Sequence, residues 1–136
     1  TLNGIFNKCS LESVEREVVI MTVATRVRCH YCVAMHSAML TKNGTDPDLI
    51  EDLREQRPLS DDRLEVLRTF TLDVMDTHGN VSAESMRRFL DAGFTRRAAL
   101  DVVLGLGAYT LSTTANRMTE APLDPPFEGF EWHEHS

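Results

Sequence analysis

Apolar residues recur along this 136-residue chain at the three- and four-residue spacing of a helix face, in blocks parted by Gly, Pro and short polar caps. Leu2, Ile5 and Phe6 sit at helical spacing and read as the tail of an earlier element. Ser10, or the Glu12-Ser13 pair, can cap a helix that carries Glu15-Arg16-Glu17 in its first turns. From Val18 to Ala24 the chain is apolar nearly all round, with only Thr22 intervening. Such a run is a buried helix or a buried strand, and its period does not choose between them. The charged turn leading into it favours helix, against the β-branched Val18, Val19, Ile20 and Val23. Arg26-Val27-Arg28 is a short joint. A second helix starts at Cys29 and ends near Lys42-Asn43-Gly44, where Gly44 supplies a left-handed residue.

Asp46-Pro47 opens a third helix that runs to about Gln56, and Pro58 ends it. Ser60 caps a fourth, with Asp61 and Asp62 in its first turn and Leu64, Leu67, Phe70, Thr71, Val74 and Met75 as its stripe; Gly79 closes it. Ser82 caps a short fifth that ends at Gly93. Thr95 caps a sixth, from Arg96 to about Arg117, whose apolar middle holds Gly105 and Gly107 and so predicts a closely packed neighbouring backbone. Pro122, Pro125 and Pro126 forbid regular helix in the tail. Phe127, Phe130 and Trp132 are too apolar for a free tail and predict docking on the core or on a second subunit. The pattern predicts one all-α domain over residues 1–136, of about six helices. Thr1 in place of Met implies that the native chain begins earlier.

Charge and composition narrow the function. A net charge of −7 with scattered Lys and Arg disfavours nucleic acid and anionic membrane surfaces as partners. No uninterrupted apolar run reaches the roughly 18 residues of a bilayer span, and signal-peptide architecture is absent. Three cysteines, two of them in a CxxC, fit redox thiols in a reducing compartment such as the cytoplasm better than a disulfide framework.

The candidate chemistry centres on Cys29-His30-Tyr31-Cys32, with His36 four residues on and Glu17 twelve before Cys29. On a helix Cys29, Cys32 and His36 share a face. A helix N-terminus favours thiolate, and His36 can take or give the thiol proton. Glu17 shares its stripe with Ile20, Met21 and Ala24, which makes it a candidate buried base whose pKa desolvation would raise. Position at the helix start favours Cys29 as nucleophile; proximity to His36 favours Cys32. A zinc site from Cys29, Cys32, His36 and Glu17 lacks a second CxxC, haem attachment lacks a histidine at Val33, and Gly105-Leu106-Gly107 lacks the rest of a dinucleotide motif. Neither metal nor cofactor is expected. His30 and Tyr31 are possible auxiliaries. His78 reads as a helix C-terminal dipole partner, Cys9 as a bystander thiol, and His133 and His135 as solvated ends.

Glu17, eleven residues, then Cys29-x-x-Cys32-x-x-x-His36 resembles the AhpD-like alkylhydroperoxidase branch of the carboxymuconolactone decarboxylase superfamily. So do Glu15-Arg16-Glu17-Val18-Val19 and the tail from Pro122-Leu123-Asp124-Pro125 to Trp132; the resemblance covers roughly residues 11 to 132. It implies an all-α homo-oligomer with the CxxC at a helix start. It also implies a peroxidatic Cys32, a resolving Cys29, and Glu17 and His36 as proton relay. One position departs: the AhpD enzyme has histidine immediately before its second cysteine, where this chain has Tyr31, with His30 one place earlier. The expected function is a thiol peroxidase that reduces hydroperoxides and is regenerated by an external dithiol of lipoyl or thioredoxin type. The rivals are a decarboxylase using Glu17 and His36 with incidental cysteines, and a non-enzymatic redox sensor or scaffold. A thioredoxin-like fold is the structural rival, but no later strands are evident.

Overall fold

The computed structural model describes residues 2–134. Seven α-helices follow in order: α1 Leu2–Phe6, α2 Ser13–Arg26, α3 His30–Lys42, α4 Pro47–Arg54, α5 Asp62–Thr77, α6 Ala83–Asp91 and α7 Arg96–Met118. A 3-10 segment, Pro125–Phe130, completes them, and no strand occurs among the described residues. The apolar run at 18–24 is therefore helix. It forms the buried heart of α2, which packs on α3, α4, α5 and α7 at once. That crowding explains the absence of a polar stripe: Val18 through Thr25 are all buried. Thr22 and Thr25 enter the core because each hydroxyl donates to a carbonyl four residues back, Val18 O and Met21 O.

Local signals mostly govern the boundaries. Glu12 precedes α2, and its backbone N–H donates to the Glu15 carboxylate at 2.9 Å, which also accepts from Arg63. Asp46 caps α4 through Asp48 N–H, Ser82 caps α6 through Ser85 N–H, and Thr95 caps α7 through Ala98 N–H. Two expectations need correcting. The cap of α5 is Asp61 rather than Ser60, since its carboxylate accepts from Leu64 N–H. The third predicted helix stops at Arg54, because Gln56 turns left-handed at φ 57°. Residues 2–6 form a short helix of their own, which brings the α-helices to seven among the described residues, in keeping with the about six expected.

Gly105 is the point of close approach on α7. A Cβ there would stand 2.6 Å from Phe6 Cζ and 3.1 Å from Val19 Cγ1. The neighbour is thus the Phe6 ring and the α2 surface rather than a backbone, and Gly107 faces open space. The tail docks on its own chain. Trp132 is buried, its indole N–H donates to Arg54 O at 2.9 Å, and the Arg54 guanidinium returns two bonds, to Phe130 O and Glu131 O. The outer side of α7 stays open, with Leu100, Val103, Leu104, Leu111 and Met118 exposed. Against the expectation that no segment qualifies, α7 is long and apolar enough to cross a membrane by length and composition. Its other side packs on α1, α2, α3 and α5.

Candidate active site

The end of α2 sets the first thiol in place. Cys29 N–H donates to Ala24 O at 2.9 Å and Arg28 N–H to Thr25 O at 3.2 Å, the paired bonds of a Schellman turn. Such a turn needs a left-handed residue, and Arg28 takes it at φ 60° where glycine is usual. The chain reverses there, and Cys29 becomes the N-cap of α3, with its sulfur facing Cys32 N–H at 3.4 Å. Cys32 follows in the first turn. Both cysteines are free thiols, both are 1% exposed, and their sulfurs lie 2.7 Å apart.

The two thiols divide one proton unequally. The hydrogen bond from Cys29 is the largest influence on Cys32 and lowers its pKa. Burial opposes it; the Asn116 amide, the His36 charge and the Ser112 hydroxyl reinforce it, and Cys32 is left at about 6. Cys29, donating to Cys32 and buried, is pushed up. Cys32 is therefore the thiolate and Cys29 the thiol at neutral pH. Of the two conflicting sequence cues, the N-cap position makes the Cys29 sulfur a donor to its neighbour, and the surrounding donors lower Cys32.

Glu17 and His36 meet behind the thiols. Glu17 Oε2 lies 2.9 Å from His36 Nδ1, with the side chains 15% and 3% exposed. A carboxylate only accepts, so Nδ1 carries a proton toward Glu17, and Nε2 is the ring nitrogen turned away from it. That Nε2 is buried without a hydrogen-bond partner. An orphaned imidazole nitrogen near a thiolate is a ready proton acceptor and donor. Tyr109 walls the pair edge-on, 5.6 Å from the His36 ring, and its own hydroxyl is raised to about 12 by burial and by the Glu17 charge.

The structure brings Glu17, Cys29, Cys32 and His36 together. His30 and Tyr31 instead engage the tail. His30 pairs with Glu134 at 2.6 Å and abuts Trp132 and His133. Tyr31 donates to Asp124 at 2.8 Å, which raises its pKa, and its ring meets Phe127. Both residues between the cysteines thus tie the motif to the C-terminal strap. His135 lies outside the described residues. A cavity of about 400 Å³ opens beside the motif, and Arg28, Cys29, His30, Asn116, Arg117 and Glu134 are among its lining residues. Among the described residues, no group of three or more His, Cys, Asp or Glu side chains is arranged to hold a metal ion.

Sequence reasoning missed Ser112 and Asn116. Asn116 Nδ2 donates to Cys32 Sγ at 3.3 Å, and Ser112 approaches the same sulfur from one turn earlier on α7. The signal was faint, because the two lie within a polar stretch, Ser112-Thr113-Thr114-Ala115-Asn116-Arg117, that reads as an ordinary solvated helix end.

The carboxymuconolactone decarboxylase family model matches residues 1–59, the stretch that holds Glu17, Cys29, Cys32 and His36. No curated protein matches the chain. Among solved structures, an uncharacterized peroxidase-related protein from Silicibacter sp. TM1040 is similar, with a TM-score of 0.77 and 22% identity over 90% of this chain and 65% of that one. An uncharacterized peroxidase-related protein from Ralstonia eutropha JMP134, described as an alkylhydroperoxidase AhpD core, is similar too. Its TM-score is 0.75 and its identity 22%, over 87% of this chain and 64% of that one. The chain thus spans just under two thirds of either neighbour, and at that identity the likeness is one of fold. The architecture of the whole is thus AhpD-like in fold, and residues 1–59, under half of the chain, are similar to the carboxymuconolactone decarboxylase family.

Proposed function

We propose that the chain is a thiol-dependent peroxidase that reduces hydroperoxides through a Cys29–Cys32 disulfide. The observation that carries this reading is the asymmetric thiol pair: sulfurs 2.7 Å apart, one acidic and one protonated, in front of the Glu17–His36 couple. In the first step the Cys32 thiolate attacks the near peroxide oxygen. An S–O bond forms, the O–O bond breaks, and the leaving alkoxide takes from His36 Nε2 the proton that Cys32 gave up on ionising. Sulfur is oxidised to sulfenic acid and the peroxide is reduced to an alcohol. Cys29 then attacks the sulfenate sulfur, forms the disulfide, and releases water with its proton. An external dithiol, of lipoyl or thioredoxin type, restores both thiols by exchange and leaves as a disulfide. The cycle calls on no metal, haem or flavin.

Glu17 holds His36 in the tautomer whose free nitrogen moves the proton. The open apolar side of α7 supports a homo-oligomer, and three cysteines with two in a CxxC support a cytoplasmic setting. The family match supports a second reading, a decarboxylase working through Glu17 and His36 with incidental thiols.

The test is mass spectrometry after one equivalent of hydrogen peroxide with a sulfenate-trapping reagent. Cys29→Ser should trap an adduct on Cys32, Cys32→Ser should give none on Cys29, and peroxide consumption with dithiol donors should need both. An adduct on Cys29 alone would reverse the roles. Decarboxylation of a carboxylated lactone that survives loss of both cysteines would establish the second reading.

A further inference from the structure

We propose that Asn116, assisted by Ser112, is a catalytic residue of this site, holding the Cys32 sulfur as an anion before attack and the sulfenate oxygen after it. The inference rests on the peroxidase reading for its second half only. Asn116 donates to the sulfur at 3.3 Å from α7, on a different element from Cys29, Glu17 and His36. Among the described residues that is the side-chain hydrogen bond Asn116 makes, and it goes to sulfur rather than to backbone or a helix end. Ser112 sits one turn before it and meets the same sulfur. Two polar side chains four residues apart on this helix thus converge on one atom.

Asn116 also lines the cavity, together with Cys29, whereas Cys32 is buried and is not among its lining residues. A peroxide entering there reaches the amide before the sulfur. As the S–O bond forms, negative charge leaves sulfur for the departing oxygen, and the sulfenate keeps an oxygen where the amide donor already points. A planar amide carries two N–H groups, so one can stay on sulfur while the other meets oxygen. The site therefore resembles an anion hole built on sulfur, with donors fixed before charge moves.

The experiment is site-resolved alkylation by iodoacetamide against pH, read by mass spectrometry on the full reduced chain. Parent, Asn116→Leu, Asn116→Asp and Ser112→Ala are compared, with circular dichroism confirming the fold. Loss of a hydrogen bond to a charged group should slow Cys32 alkylation in Asn116→Leu about three- to tenfold below pH 6, with rates converging above pH 9. Asn116→Asp should be slower still, because its carboxylate repels the thiolate, and Ser112→Ala should show a smaller effect. Profiles that superimpose on the parent, or that fall equally at every pH, overturn the proposal. The readout involves no peroxide. Shifted profiles in a protein that consumes none would uphold the thiolate role and sink the peroxidase reading.

Discussion

Gly105 and Gly107 lie two residues apart in α7, and the same substitution should act on them in opposite directions. Alanine is preferred over glycine in a helix interior by about 0.5–1 kcal/mol. At Gly107 nothing lies within 4 Å of an added Cβ, so that gain stands alone. At Gly105 the same atom meets Phe6 Cζ at 2.6 Å, Phe6 Cε1 at 2.9 Å and Val19 Cγ1 at 3.1 Å. Carbon atoms settle at roughly 3.5–4 Å, so the Phe6 ring must withdraw by about an ångström. It has nowhere to go: Phe6 is fully buried and packs against the Tyr109 edge at 5.9 Å. Overpacking of this kind costs about 1–3 kcal/mol, which leaves Gly105→Ala less stable by roughly 0.5–2 kcal/mol after the helix gain. If α1 undocks instead, the lost burial of one phenylalanine, about 1.5–3 kcal/mol, sets a similar bound. Urea unfolding followed by circular dichroism, under reducing conditions and at several protein concentrations, should move the two midpoints apart. In a Phe6→Leu background the penalty at 105 should shrink. Gly105→Ala at or above parental stability would refute the packing argument.

The remaining predictions concern the site and the surfaces. Glu17→Gln should keep the fold but slow peroxide attack by about a hundredfold or more, since it unfixes the His36 tautomer; stopped-flow single-turnover rates measure it. The folded pKa of Cys32, about 6, lies below its ordinary 9.0, while that of Cys29 lies above. The pair should therefore add stability as pH rises from about 6 to 9 and lose it above, a hump that Cys32→Ser removes from urea midpoints. Trp132→Ala removes a buried ring and its bond to Arg54 O, so limited proteolysis between 120 and 134 should accelerate roughly a hundredfold, from a loss of about 3 kcal/mol. Leu100→Lys with Leu111→Lys should reduce the sedimentation coefficient of any assembly formed through α7; an unchanged value would place the interface elsewhere.

The helices were legible where a cap and a stripe coincide. Ser82 and Thr95 each announce a helix and each caps one. Where two acids follow a serine, as at Ser60-Asp61-Asp62, local chemistry offers several caps and packing chooses among them. The Glu17–Cys29–Cys32–His36 set was legible because it lies within twenty residues and two adjacent helices. Asn116 was not, because its partner sulfur is 84 positions away and only the crossing of α7 over α3 brings them together. The division of labour between the thiols needed the same step: spacing puts both on one face, but the direction of the proton between them depends on donors from a third helix. Arg28 escaped notice for a different reason. A left-handed turn signals itself through glycine, and this one uses arginine.

The strap has a practical consequence. Trp132 is the only tryptophan in the chain, and its indole lies 5.8 Å from the His30 ring, within the CxxC itself. Intrinsic fluorescence at the indole band therefore comes from a single place, and that place adjoins the thiols. Emission intensity should follow any displacement of His30 or of the strap that packs on it. If the proposed disulfide forms and moves His30, the tryptophan reports it in real time, without a label or a coupled enzyme.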